Sequence, residues 1–361
     1  MNKKKLVLTL ALSYGVVLGA LTAWSPIETF LVQKEDQKLV EPDFDDSEDI
    51  VPVASSSEKP TSSAEKTSEK PASSPSSASS ESAQSSEAVE TSSSDEIISS
   101  STVVTANTEI TLTEHTWVHE EKPIPYALVR VKLKNTKAIR TRLATTDNGY
   151  VGSNVTQSFG ELLSAVSDQN PLVAMDGCFP YFSNRQGYVV SNGVEYRSNK
   201  RTDAAKNDDF AIFKDGTALA YSENDYTLAE LQAMHGGVWQ NWCFGPALVK
   251  DGELAVIKGT EVAESNANGA NQRAALGYLG PNEFLFLIAN FYSPNGDRNN
   301  RNAVGLSLWR MGNILVEAGC EVAYNFDGGG SAGLYTTAYA QNGGYWLAPT
   351  RTEIGDIVYV V

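Results

Sequence analysis

Hydrophobic and polar positions divide the chain into three stretches. An apolar run occupies residues 6–24, directly behind Lys3, Lys4 and Lys5. From residue 55 to residue 101 apolar periodicity vanishes and almost half the positions are serine. From about Thr102 onward the patterns of folded chain take over and continue to Val361. There the alternation in 126–133 (YALVRVKL) predicts a strand and 159–166 (FGELLSAV) a short helix. Residues 171–175 (PLVAM) read as a short buried strand running into Asp176-Gly177. Two hairpins are expected, 210–221 around Lys214-Asp215-Gly216 and 248–257 around Asp251-Gly252, because Asp-Gly suits the left-handed turn positions. The apolar run 283–289 (EFLFLIA) predicts a central strand. In 304–319, Leu308, Met311, Leu315 and Ala318 fall on one face at i+3/i+4 steps, a helix with Gly319 at its C-terminal end. Residues 321–326 then read as a strand that stops abruptly at Asp327-Gly328-Gly329-Gly330-Ser331, and 354–361 as a closing strand. Mixed strands and helices without an internal repeat predict an α/β (α+β) fold, with a mixed sheet and flanking helices, in a single C-terminal domain.

Composition assigns roles to the other two stretches. The N-terminal run is about the ~20 residues a spanning helix needs, and the lysines before it place the N-terminus inside. Residues 1–27 are therefore expected to be a signal anchor, with a cleaved signal peptide as the alternative. Residues 28–100 hold 17 acidic and 5 basic side chains out of a chain charge of −16. The serine-rich part, residues 55–101, has no aromatics and cannot offset its ordering entropy, so 28–101 is expected to be a disordered stalk and 102–361 the globular domain. The expected location is a single-pass cell-membrane protein with its globular domain extracellular, or a secreted one if the signal is cleaved. No basic patch is dense enough for a nucleic acid partner. The three cysteines, Cys178, Cys243 and Cys320, could close one disulfide and leave one thiol, or could simply be small buried residues.

Chemistry concentrates in two glycine-containing strand ends. In Asn325-Phe326-Asp327-Gly328-Gly329-Gly330-Ser331, three glycines let the backbone approach a ligand, their amides could form an anion nest, and Asp327 stands at a strand end. No Lys-Ser/Thr follows, which argues against a nucleotide P-loop. In Asp176-Gly177-Cys178-Phe179-Pro180-Tyr181-Phe182, Asp176 is a second candidate carboxylate, and Phe179 and Tyr181 could stack on a sugar. Arg273, at the start of a strand-like run, could clamp a phosphate. His115 and His119 are four apart in a strand-like segment, not on a zinc-binding helix. Together with His235 they make no metal site, and no G-x-S-x-G elbow supports a serine triad.

These segments, taken in order, resemble the phosphodiester glycosidase family over most of residues 120–361. Arg273-Ala274-Ala275-Leu276-Gly277 looks like the family's R-x-x-x-G strand, and Gly305-Leu306-Ser307-Leu308 like its G-L-[ST]-L helix start. Asn325 to Ser331 looks like N-L-D-G-G-G-S. Phe244-Gly245-Pro246-Ala247-Leu248-Val249 with Asp251-Gly252 looks like the G-x-P-x-L-V-x-D-G hairpin. Arg351 with Gly355-Asp356-Ile357 is similar to the closing R-x-V-x-D-x-I. Two segments differ: Asp176-Gly177-Cys178-Phe179-Pro180 stands where the family has N-G-G-[FY]-F, and Ala289-Asn290-Phe291-Tyr292 where it has V-D-G-R. The loop 293–302 is long and asparagine-rich.

The resemblance implies an extracellular hydrolase that cleaves the sugar C1–O bond of sugar-1-phosphodiesters on surface or exopolysaccharide glycans. Asp327 and Asp176 would be the catalytic carboxyls. Arg273, Gly328, Gly329, Gly330, Ser331, Arg351, Phe179 and Asn325 would bind substrate or its phosphate. A divalent cation, calcium or magnesium, held by Asp176 and Asp327, is a candidate cofactor. The partners would be a carbohydrate or sugar-phosphate substrate and the membrane. The two departures motivate an alternative, a non-catalytic surface module that binds an anionic polysaccharide.

Overall fold

The computed structural model describes residues 37–40, 94–119, 122–152, 155–177, 186–202, 204, 207–243, 245–256, 271–289, 305–339, 346–348 and 352–361. The apolar run 6–24 lies outside them. Among the described residues no helix is long and apolar enough to cross a membrane.

Three sheets carry the fold. The largest has eight strands in the order Glu253–Leu254, Ala247–Lys250, Val322–Asn325, Arg273–Gly280, Glu283–Ala289, Lys122–Leu133, Thr108–His119, Ser94–Val104. A five-stranded sheet runs Ala218–Tyr221, Asp209–Phe213, Val238–Trp242, Val189–Ser191, Val194–Arg197. Another runs Trp346–Ala348, Leu334–Thr336, Val173–Asp176, Asp356–Val360, Ile139–Leu143. Every strand pair described is antiparallel, which corrects the expected mixed sheet. Glu283–Ala289 is continuously apolar because both of its faces are covered, not because it is parallel. Leu285 and Leu287 enter one core with Leu308, Met311 and Leu315, while Phe284, Phe286 and Ile288 are buried as well.

Among the described residues the helices are few and short, so sheet dominates rather than balancing helix. Leu308–Glu317 is the longest described helix. The Ser307 side chain caps its first turn by accepting from the Arg310 amide. At the other end the Gly319 amide donates to Val316 and the Cys320 amide to Leu315, the paired bonds of a Schellman ending. Phe159–Ser164 and Leu228–Gln232 each begin with a capping box, Ser158 with Glu161 and Thr227 with Glu230. Both expected hairpins form, and Asp251 and Gly252 sit at φ 52° and 75° as a two-residue turn demands.

The stretch read as stalk contributes to the folded unit at both of its ends. Gln37–Lys38 pairs with Tyr150–Val151, and Leu39 packs against the cluster of Leu143, Val151 and Val189. The strand Ser94–Val104 pairs along Thr108–His119, so the large sheet begins at Ser94 rather than at Thr102. Composition hides this strand because it is an edge, with Ile97, Ile98 and Val104 exposed and serines elsewhere. Cys243 and Cys320 are both free and buried; Cys178 lies outside the described residues.

Candidate functional site

The two glycine-containing strand ends meet. Val322–Asn325 belongs to the large sheet and Val173–Asp176 to a small one. Just beyond them the Asp327 amide donates to the Gly177 carbonyl at 3.0 Å. A second tie joins the same segments: the Asp176 amide donates to Gly333 O, and the Gly333 amide donates back to Asp176 Oδ1 at 2.8 Å. Gly177 must be glycine here, because an added Cβ would lie 2.7 Å from the carboxylate of Asp356.

The site therefore gathers three carboxyls, Asp176, Asp327 and Asp356. Asp176 is completely buried, and its Oδ2 accepts no hydrogen bond from any described residue. Burial pushes the Asp176 carboxyl well above the usual carboxylate range. The Gly333 amide opposes that shift, and the negative charges of Asp327 and Asp356 add to it. Burial thus shifts Asp176 toward its neutral form relative to an exposed carboxyl, while Asp327 is half-buried and within reach of solvent. Asp356, 1% exposed, accepts from Trp242 Nε1 at 3.2 Å. Sequence reasoning does not single out Asp356, although the closing motif that contains it carries the signal. Among the described residues no group of three or more His, Cys, Asp and Glu is arranged to hold a metal ion.

Arg273 opens its strand beside this loop. It is 7% exposed, and its Nε donates to Leu306 O at 3.1 Å. A Cβ on Gly328 would come 3.8 Å from Arg273 Nη1 and 2.8 Å from Gln272 O, so the loop backbone runs against the arginine. Burial lowers the guanidinium pKa to about 10, which leaves it charged at neutral pH.

Three of the four amides expected to form an anion nest have partners within the fold. The amides of Gly328, Gly329 and Ser331 donate within the fold, to Asp327 Oδ1, Gln272 O and Gly328 O respectively. A carboxylate one residue ahead of a glycine run captures the first amide by itself, and the tight turn uses the others. Gly330 accepts through its carbonyl from Thr352, and the hydroxyls of Ser331 and Thr352 share a hydrogen bond of 3.0 Å. Asn325 is buried, and its Nδ2 donates to Gly245 O, which ties the loop root to the neighbouring hairpin. Phe179 and Arg351 lie outside the described residues, as do the segments 290–304 and 178–185. His115, read as no metal ligand, stacks on Tyr126 in the strand Thr108–His119.

The sequence model for phosphodiester glycosidases matches residues 169–361. That span begins after the outer strands of the large sheet, which lie beyond the match. The fold is similar to that of a zebrafish N-acetylglucosamine-1-phosphodiester alpha-N-acetylglucosaminidase catalytic domain, auto-inhibited by its pro-peptide. That likeness has a TM-score of 0.53 at 14% identity and covers 74% of this chain and 87% of that one. A hypothetical protein from Synechocystis is similar at TM-score 0.49 and 14% identity, over 73% of this chain and 64% of that one. No curated protein sequence matches the chain.

Proposed function

Because this chain belongs to the phosphodiester glycosidase family, we propose that it hydrolyses the sugar C1–O bond of sugar-1-phosphodiesters at the cell surface. The observation that carries the reading is the junction of Asp327 with Asp176 beside a buried, charged Arg273. The leaving group would be a phosphate monoester, whose second pKa near ~6 makes it a good leaving group without a strong acid. What the transition state needs is a cation at the phosphate and a carboxylate by the oxocarbenium-like carbon. Arg273 would supply the first, in a site where low polarity strengthens its attraction for an anion. Asp327 would supply the second, as nucleophile or as base for water. Asp176, buried and pushed toward its neutral form, would anchor the Asp327 segment through Gly333 and Gly177. The basic and apolar N-terminus supports a membrane-tethered protein with this domain outside, acting on carbohydrate.

The test is sugar release by the full chain from a panel of sugar-1-phosphodiesters, with Asp327→Asn as the control. Turnover abolished by Asp327→Asn, in a protein that still melts cooperatively, supports the enzyme. Saturable binding of a phosphate-bearing glycan without turnover, unaffected by Asp327→Asn, would replace it with the binding module that the altered Asp176–Pro180 segment also suits.

A further inference from the structure

We propose that Trp242 and Asp356 form a positioning pair that fixes Asp327 from both sides. The proposal rests on reading Asp327 as the working carboxyl. Trp242 ends a strand of one small sheet, Asp356 opens a strand of the other, and Asp327 follows a strand of the large sheet. The pair thus stands where all three sheets converge.

Each neighbour of Asp327 is held by one member. On the chain side, the Trp242 ring meets Phe326 edge-on at 5.2 Å, and Phe210 stacks behind Trp242 at 6.0 Å. On the opposite side, the Asp356 carbonyl accepts from the Gly177 amide at 3.2 Å, and the Gly177 carbonyl accepts from the Asp327 amide at 3.0 Å. The indole N–H on Asp356 Oδ2 closes the circuit. The carboxylate also packs directly on Gly177, where no Cβ fits. Asp356 is too buried to meet substrate, so it acts through Gly177 rather than on the reacting atoms. A buried carboxylate is costly, and an apolar side chain would fill the same space at lower cost. What the carboxylate adds is direction: it accepts from one indole and blocks one glycine, so the strand ends have a single register.

The test uses the full chain and three substitutions. Trp242→Phe keeps most of the ring packing but removes the donor. Asp356→Ala removes the acceptor, and Asp356→Asn keeps an acceptor of the same shape. Amide hydrogen exchange at Asp327 should speed up by roughly tenfold or more in Trp242→Phe and Asp356→Ala, while the helix Leu308–Glu317 keeps its protection. Asp356→Asn should restore most of the protection. On a cleaved sugar phosphodiester, kcat should fall by about tenfold or more with KM within about twofold, again with rescue by Asn. Unchanged exchange at Asp327, or faster exchange spread evenly over the domain, overturns the proposal. Absence of wild-type turnover with the local exchange pattern intact would sink the enzymatic reading and leave the positioning pair standing. Wild-type turnover with neither exchange nor kcat moved would sink the pair alone.

Discussion

The amide of Asp327 donates to the carbonyl of Gly177, so two residues 150 apart in sequence join the ends of two different sheets. Gly177 is therefore a joint, with Asp356 pressed against its Cα. Gly177→Ala should cost about 1–3 kcal/mol, the usual range for overpacking, because the Asp356 carboxylate is held by Trp242 and has little freedom to retreat. Thermal unfolding of wild type and variant measures this directly. A melting temperature unchanged by the added methyl would mean that the joint is looser than the contact distance implies.

Asp176 should make the protein less stable as pH rises. Its folded-state pKa lies above the unfolded value, so over the interval between the two the folded state binds the proton and the unfolded state does not. That contribution is fully present below the unfolded pKa of about 3.9 and is lost as pH climbs through the folded one. Asp176→Asn keeps an acceptor for the Gly333 amide and has no proton to lose. From pH 5 to pH 8 the melting temperature of wild type should fall relative to that of Asp176→Asn. Parallel curves would show that Asp176 is not the proton-binding group.

The sequence made the site's backbone legible and its electrostatics only partly so. Asp327 and Asp176 could be singled out because each stands at a strand end beside glycine, and Arg273 because it begins a strand-like run, all local patterns. Asp356 could not, since its role comes from contact with Gly177 and Trp242, residues far away in sequence. The amides of the glycine loop show the same limit: glycine count reveals that backbone can approach closely, but not that Asp327, Gln272 and Gly328 already accept from the amides of Gly328, Gly329 and Ser331. Element positions such as the helix after Ser307 followed from period and caps. Strand direction did not, because an apolar run covered on both faces reads the same in parallel and antiparallel sheets.

Where the domain begins can be tested at Asp95. Its carboxylate accepts from the hydroxyl of Tyr126, a residue that is 1% exposed. Asp95→Ala should leave that buried hydroxyl unsatisfied, at about 1–3 kcal/mol. Urea unfolding should register the loss as a lower midpoint with an unchanged slope. If the substitution is silent, the strand Ser94–Val104 adds nothing to the fold and order effectively starts later.

Arg273→Lys should separate charge from geometry. The substitution keeps a cation but loses the Nε bond to Leu306 O and the planar fork beside Gly328. Burial that lowers the arginine to about 10 would also lower a lysine, whose ordinary pKa is nearer neutrality, so the replacement charge would be weaker as well. If Arg273 receives the phosphate, kcat/KM on a sugar-1-phosphodiester should fall by about a hundredfold, equivalent to ~2.7 kcal/mol. Inhibition by inorganic phosphate should weaken in parallel, because the same cation would bind the free anion. A variant with full activity and unchanged phosphate inhibition would remove Arg273 from the phosphate site and leave it as a strut between Leu306 and the glycine loop.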